Sequence, residues 1–196
     1  KLLQLVKTQK LVENLSEREL TNPEGAGFDL RLGEVYKIKG DAFLGETDRK
    51  TAEIELIANY VRHSGDPPAG GDSRISKKTD SGQARMTGSS ILINPGDFFL
   101  VKTIESVNMP QNLTASITPR STTYRSGLFI RTGNVPPGYC GGLTFGLSNE
   151  GPITVEIEMG ARIVHIQFSE VRGSGNMYRG QWQGGRVSVT KKEKQV

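Results

Sequence analysis

From residue 27 onward the chain alternates apolar and polar positions in short runs. Phe28, Leu30 and Leu32 interleave with Asp29, Arg31 and Gly33, and residues 35–38 form another short run. Ile153, Val155 and Ile157 alternate with Thr154, Glu156 and Glu158; Val164, Ile166 and Phe168 face away from Ile163, His165 and Gln167. A period of two assigns these side chains to opposite faces of half-buried strands. Further strands are predicted over 90–93, 98–104, 113–118, 127–131 and 142–148, with Asn94-Pro95-Gly96-Asp97 as a turn. Short strands separated by turn signals predict an all-β sandwich, jelly-roll or barrel.

Three segments depart from this pattern. Residues 10–20 carry Leu11, Val12, Leu15 and Leu20 and predict a short N-terminal helix, closed before Asn22-Pro23. Residues 63–88 are polar and nearly free of apolar side chains, which predicts an inserted loop, a mobile hairpin. Residues 172–196 are glycine-rich and basic and predict a flexible C-terminal tail.

With 196 residues, the chain is long enough for one domain with its own core. The expected division is a single domain over 1–188, interrupted at 63–88, and a basic tail over 189–196. A formal net charge of +4 suits an anionic small molecule and is too weak to argue for nucleic acid. No apolar run approaches the roughly 18–20 residues of a membrane helix, and no signal-peptide pattern opens the chain. The single cysteine, Cys140, excludes an internal disulfide framework, so the expectation is a soluble, cytoplasmic protein without membrane or nucleic-acid partners.

Candidate chemistry concentrates in residues 117–149. Arg120, Ser121 and Thr122 combine guanidinium charge with hydroxyl donors, the equipment a polyphosphate needs, and Arg125 follows five residues after Arg120. The alternative is a turn whose arginine pairs with a neighbouring carboxylate. Pro136-Pro137-Gly138-Tyr139 forms a hairpin whose backbone can approach a planar base and read its edge; the alternative is a tight turn over a buried tyrosine. Tyr178, Arg179, Trp182 and Gln183 could close over a nucleotide from the tail, or belong to a disordered basic segment.

Taken together, five ordered segments resemble the dUTPase and dCTP deaminase superfamily, and the deaminase branch in particular. They are residues 27–33 (GFDLRLG), 119–128 (PRSTTYRSGL), 136–141 (PPGYCG) with the strand ending Ser148-Asn149, 160–168 (GARIVHIQF) and, more loosely, 181–184 (QWQG). The resemblance implies a distorted jelly-roll, or β-clip, of the dUTPase-like type. It also implies a homotrimer with sites between subunits that bind a pyrimidine deoxynucleoside triphosphate with Mg2+ carried by the triphosphate. On that basis Arg120, Ser121, Thr122, Pro136, Gly138, Tyr139, Tyr178, Arg179, Trp182 and Gln183 bind the nucleotide. Ser121 and Arg125 fall where the deaminases keep an active-site serine and arginine, and Tyr139 matches the aromatic that excludes a ribose 2′-hydroxyl.

Two positions break the family pattern. The aspartate that activates water in dUTPases corresponds here to Pro136, which cannot accept a proton. The glutamate that shuttles protons in the deaminases corresponds to Gly146. Asp29, in a motif that lies near the triphosphate in the family, is the best remaining catalytic carboxylate. Glu150, beyond the strand's end, is expected to face solvent, and His165 is expected to be structural or solvated. Zinc-dependent base deamination requires a His/Cys/Cys or three-Cys site, so one cysteine and two histidines predict a zinc-free protein. The expected function is dCTP deamination, dUTP hydrolysis to dUMP and pyrophosphate, or both. A non-catalytic nucleotide-binding trimer and a β-sandwich used only for protein contacts are the alternatives.

Overall fold

The computed structural model describes residues 1–61, 86–87, 90–173 and 175–195. Most of the inserted loop expected over 63–88 lies outside them. In chain order the elements are α1 (Leu2–Gln9), β1 (Val12–Glu13), α2 (Glu17–Thr21), β2 (Gly27–Lys39), β3 (Phe43–Leu44), β4 (Asp48–Lys50), β5 (Glu53–Asn59), β6 (Met86–Thr87), β7 (Ser90–Ile93), β8 (Phe98–Asn108), β9 (Leu113–Pro119), α3 (Ser121–Arg125), β10 (Leu128–Arg131), β11 (Asn134–Val135), β12 (Cys140–Asn149), β13 (Val155–Glu158), β14 (Arg162–Glu170) and β15 (Glu193–Lys194).

The main sheet runs β10-β12-β8-β2-β14-β9-β11, with β1 added at β8 and β5 at β2. Two three-stranded sheets, β13-β7-β6 and β15-β4-β3, complete the curled, mostly β architecture. Strand alternation sets the core. Leu143, Phe145 and Leu147 of β12 are buried, as are Phe99, Val101 and Val107 of β8 and Phe28, Leu30 and Leu32 of β2. Phe28 meets Phe168 edge-on at 6.1 Å. Each large side chain withdrawn from water in this way contributes about 1.5–3 kcal/mol before the cost of ordering it.

One polar pair crosses this apolar interior. Glu105 of β8 is fully buried and accepts from Arg31 Nε at 2.7 Å and from the Arg31 backbone N–H at 2.8 Å. Burial pushes its carboxyl up, while the Arg31 guanidinium pulls it back down.

The N-terminal helix does not form over residues 10–20 as expected. Lys10 takes φ 51° and ψ 40° and ends α1 in the left-handed conformation, and Asn14 has φ 64°. Between them β1 pairs Val12 with Val107 and Glu13 with Ser106. Leu11, Val12 and Leu15 are all buried, so core contacts draw the segment out of helical geometry. Helix resumes at Glu17, where the Ser16 side chain accepts from the Glu19 N–H.

Two strand expectations also change. Residues 27–33 and 35–38 belong to the one long β2, which keeps pairing with β8 across a register shift between Leu32 and Glu34. Ile153, expected inside a half-buried strand, precedes β13 and is 62% exposed.

The tail is laid back on the body here. β15 pairs with β4, Val189 is buried, and its carbonyl accepts from the Thr51 N–H at 2.9 Å. Trp182 lies under the Arg49 guanidinium, 4.5 Å from carbon to ring centroid.

Candidate functional site

The sheet order explains where the Arg-Ser-Thr turn ends up. β14 lies between β2 and β9, and its register sets His165 opposite both Asp29 and Thr118. Val164 stands opposite Pro119, the last residue of β9, and the Arg120 N–H donates to the Ile163 carbonyl at 3.1 Å. The arginine is thereby delivered to Asp29 by backbone pairing.

Asp29 is 2% exposed and sits in a shell of cations. It pairs with the Arg120 guanidinium, with Arg162 Nη1 at 2.9 Å and with His165 Nδ1 at 3.0 Å, and Arg18 Nη1 lies 3.6 Å away. Buried Glu19 adds a second carboxylate, accepting from the Asp29 N–H at 3.0 Å and pairing with Arg18. Burial lowers the Arg120 pKa, and the Arg162 charge lowers it further. Burial likewise pushes His165 down, against an upward pull from Glu19 and Glu24.

This geometry realises the carboxylate-paired alternative for Arg120 within one chain. Asp29, the candidate catalytic carboxylate, has Oδ2 engaged by guanidinium groups and Oδ1 by His165, so within one chain it anchors this cluster. His165, expected to be structural or solvated, meets Asp29 while its side chain keeps 24% of its surface. Beyond Arg120, α3 turns Ser121, Thr122 and Arg125 outward, and Ser121 and Thr122 are exposed while Arg125 keeps at least part of its surface in solvent. Thr123 closes the turn, its hydroxyl donating to the Arg120 carbonyl at 2.6 Å.

A second arrangement surrounds the hairpin. A cavity of about 600 Å³ is walled by Phe98, Phe145, Tyr139, Tyr178 and Trp182, with Pro136 and Thr144 on its lining and Arg131 and Arg186 as its cations. The Tyr139 and Tyr178 rings meet at 5.4 Å, and the Tyr139 hydroxyl donates to the Gly142 carbonyl at 2.7 Å. Burial is the first cause that pushes the Tyr139 phenol up to about 12. Gln183 ties tail to hairpin, donating to the Gly138 carbonyl at 3.0 Å and accepting from the Cys140 N–H at 3.2 Å. The Tyr178 N–H donates to the Pro137 carbonyl at 2.7 Å. Arg179 is exposed.

The two arrangements stay separate in one chain. Pro136, Tyr139, Tyr178 and Trp182 line the cavity, whereas Asp29, Arg120, Ser121, Thr122 and Arg125 do not. Among the described residues no Asp or Glu belongs to its lining. Glu150 lies just outside, accepting from Arg131 Nη2 and from the Ser148 hydroxyl, each at 2.9 Å.

At Gly146 an added Cβ would stand 3.0 Å from Phe98 Cζ and 3.8 Å from Arg131 Cβ. The phenyl ring therefore lies against Gly146, the position at which the family resemblance implied a glutamate. Sequence reading missed Phe98, Thr144, Arg131 and Arg186, because strand register and tail docking bring them together. It also missed Arg18 and Glu19. Arg162 lay inside a family segment and could have been flagged there.

Among the described residues no three His, Cys, Asp or Glu side chains cluster as a metal set. With the Asp29 oxygens already taken, the residues around the turn do not fit a protein-held magnesium ion. No helix among the described residues is long and apolar enough to cross a membrane.

The chain is similar to several known proteins. A profile described as dCTP deaminase-like matches residues 1–171. A "dCTP deaminase, dUMP-forming" of Dictyoglomus thermophilum is 36% identical over 145 residues, covering 71% of this chain and 62% of that relative's length. A "dCTP deaminase" of Thermococcus kodakarensis is 32% identical over 190 residues, covering 96% of this chain and 95% of the relative. In structure, the 2′-deoxycytidine 5′-triphosphate deaminase of Agrobacterium tumefaciens shares the fold, with TM-score 0.56 and 16% identity over 85% of this chain and 46% of that one. Ordered motifs, sheet order and these likenesses agree, and the chain belongs to the dCTP deaminase-like family.

Proposed function

We propose that this protein binds a pyrimidine deoxynucleoside triphosphate and processes it, by dCTP deamination, by dUTP hydrolysis to dUMP and pyrophosphate, or both. Family membership supports the substrate class, since the relatives described above are named for acting on dCTP. The observation that carries the reading is the aromatic cavity beside the Pro136–Tyr139 hairpin, with two arginines and no carboxylate among the described residues of its lining. Such a chamber accepts a planar ring bearing negative charge and disfavours cations.

A complete site on this reading needs a second subunit. The Arg-Ser-Thr turn does not line the cavity of its own chain, so Ser121, Thr122 and Arg125 would serve the cavity of a neighbour in a homotrimer. Arg120, held by Asp29, would fix the turn and add charge toward the phosphates. Magnesium would arrive on the triphosphate. The proposed setting is cytoplasmic, with no membrane or nucleic-acid partner.

A second reading is favoured by Phe98 over Gly146 and by the carboxylate-free lining: a trimer that binds nucleotide without turning it over. Losing a central catalytic group commonly costs several orders of magnitude in rate.

One experiment separates the two. Purified protein is incubated with dCTP, dUTP and the other nucleoside triphosphates plus Mg2+, and products are resolved by chromatography. Deaminated or pyrophosphate-cleaved product, lost in Ser121→Ala, supports processing; exposed Ser121 makes this the clean variant, with Arg120→Ala beside it. Binding without product supports the second reading. No binding of any nucleotide removes both.

A further inference from the structure

We propose that Phe98 and Thr144 form the base-recognition face of the cavity: the ring of a bound pyrimidine stacks on Phe98 while the Thr144 hydroxyl meets a polar atom on its edge. This rests on the nucleotide reading above and assigns the residues that hold the base.

Three observations converge on this face. Ser148 pairs with Phe98 and Gly146 with Leu100, so Phe98 is the diagonal cross-strand neighbour of Gly146. Thr144, Gly146 and Ser148 are two residues apart along β12 and share the face that carries the Phe98 ring. A side chain at 146 would press into that ring, so the glycine makes room for the phenyl beside the strand, where it lines the cavity.

Phe98 is 42% exposed and lines the cavity, so a stacked ring would cover it. The Thr144 hydroxyl oxygen is closed off from solvent and has no hydrogen-bond partner among the described residues, although its residue lines the cavity. A buried hydroxyl in that condition is stabilised by a partner that completes the bond, which a ligand atom supplies once the side chain rotates toward the cavity. Arg131 and Arg186, paired with Glu150 and Glu193, bring guanidinium donors to the same cavity. The ligand that satisfies all four groups is a planar heteroaromatic ring with a phosphate chain.

An aromatic ring over a strand glycine can also serve packing alone. The test therefore separates affinity from folding. Binding of the non-hydrolysable α,β-imido analogues of dUTP and dCTP, and of inorganic tripolyphosphate, is titrated by the emission of Trp182, the chain's one tryptophan and a wall of the cavity. Thermal midpoints are recorded beside each titration.

Phe98→Ala is expected to weaken both imido-nucleotides by about tenfold, the range of a lost base–aromatic stack, and to leave tripolyphosphate within about twofold. Phe98→Tyr restores nucleotide affinity, and Thr144→Val weakens the nucleotides about fivefold with little change in thermal midpoint. If the wild type binds the imido-nucleotides and Phe98→Ala and Thr144→Val bind them equally well, this assignment is overturned while the nucleotide reading stands. A lower thermal midpoint with unchanged affinity overturns it in the same way. If the wild type binds neither analogue, the nucleotide reading and this assignment fall together.

Discussion

Arg120, at the start of α3, closes an ion pair on Asp29 of β2, although the aspartate is 2% exposed and the arginine side chain keeps 24% of its surface. The pair joins the most exposed candidate turn to the interior of the sheet. It exists because β14 lies between β2 and β9 and carries Arg162 and His165 to the same carboxylate.

Removing the charge at its centre should be costly. Asp29→Asn removes the carboxylate that Arg120 and Arg162 share and leaves Glu19 and Glu24 as the acidic charges acting on Arg120. An uncompensated buried charge typically costs about 3–5 kcal/mol, and urea unfolding should show a midpoint lowered accordingly. An unchanged midpoint would mean that solvent already satisfies these guanidinium groups.

Stability should also fall with acid through His165. Burial holds its folded pKa below the ordinary 6.5, so the unfolded chain takes up its proton first as pH drops. The contribution is complete above 6.5 and is lost as pH falls from there toward the lower folded value. Thermal midpoints measured from about pH 8 to about pH 5 should decline for the wild type, and less steeply for His165→Gln.

The tail's docking depends on Gly141, which has φ 128° and whose added Cβ would collide with the Gly185 nitrogen. Gly141→Ala combines backbone strain of about 1–3 kcal/mol with a steric block, so it should free the tail. Trypsin cleavage after Arg179 and Arg186 should quicken by about tenfold or more.

Gly146→Ala tests the opposite kind of glycine. Its φ lies outside the left-handed region, and the close crowding comes from the far end of the half-exposed Phe98 side chain and not from backbone. Replacing a mid-strand glycine should then raise stability by about 0.5–1 kcal/mol in urea unfolding. A loss of stability would show that the ring is pinned.

Much of this molecule is legible from its residues because the signals are local. Alternation along β12 and β14 marks the buried face, since adjacent strand residues must point to opposite sides. The family segments carry their order and spacing in the chain itself. The N-terminal segment misleads for a reason the same logic supplies: apolar residues at helical spacing satisfy a local rule, but the core takes Leu11, Val12 and Leu15 by pairing β1 to β8.

The sequence alone determined the all-β class and the family, and it singled out the segments proposed to hold phosphate and base. Only the tertiary structure decided what those segments face. Asp29 and Arg162 are 133 residues apart in the chain, and nothing local brings them to 2.9 Å. The same holds for Phe98 over Gly146, which a one-residue slip in the β8–β12 register would undo. Strand register is set by the packing of the whole sheet. It sets Asp29 among Arg120, Arg162 and His165, and it lays the Phe98 ring against Gly146.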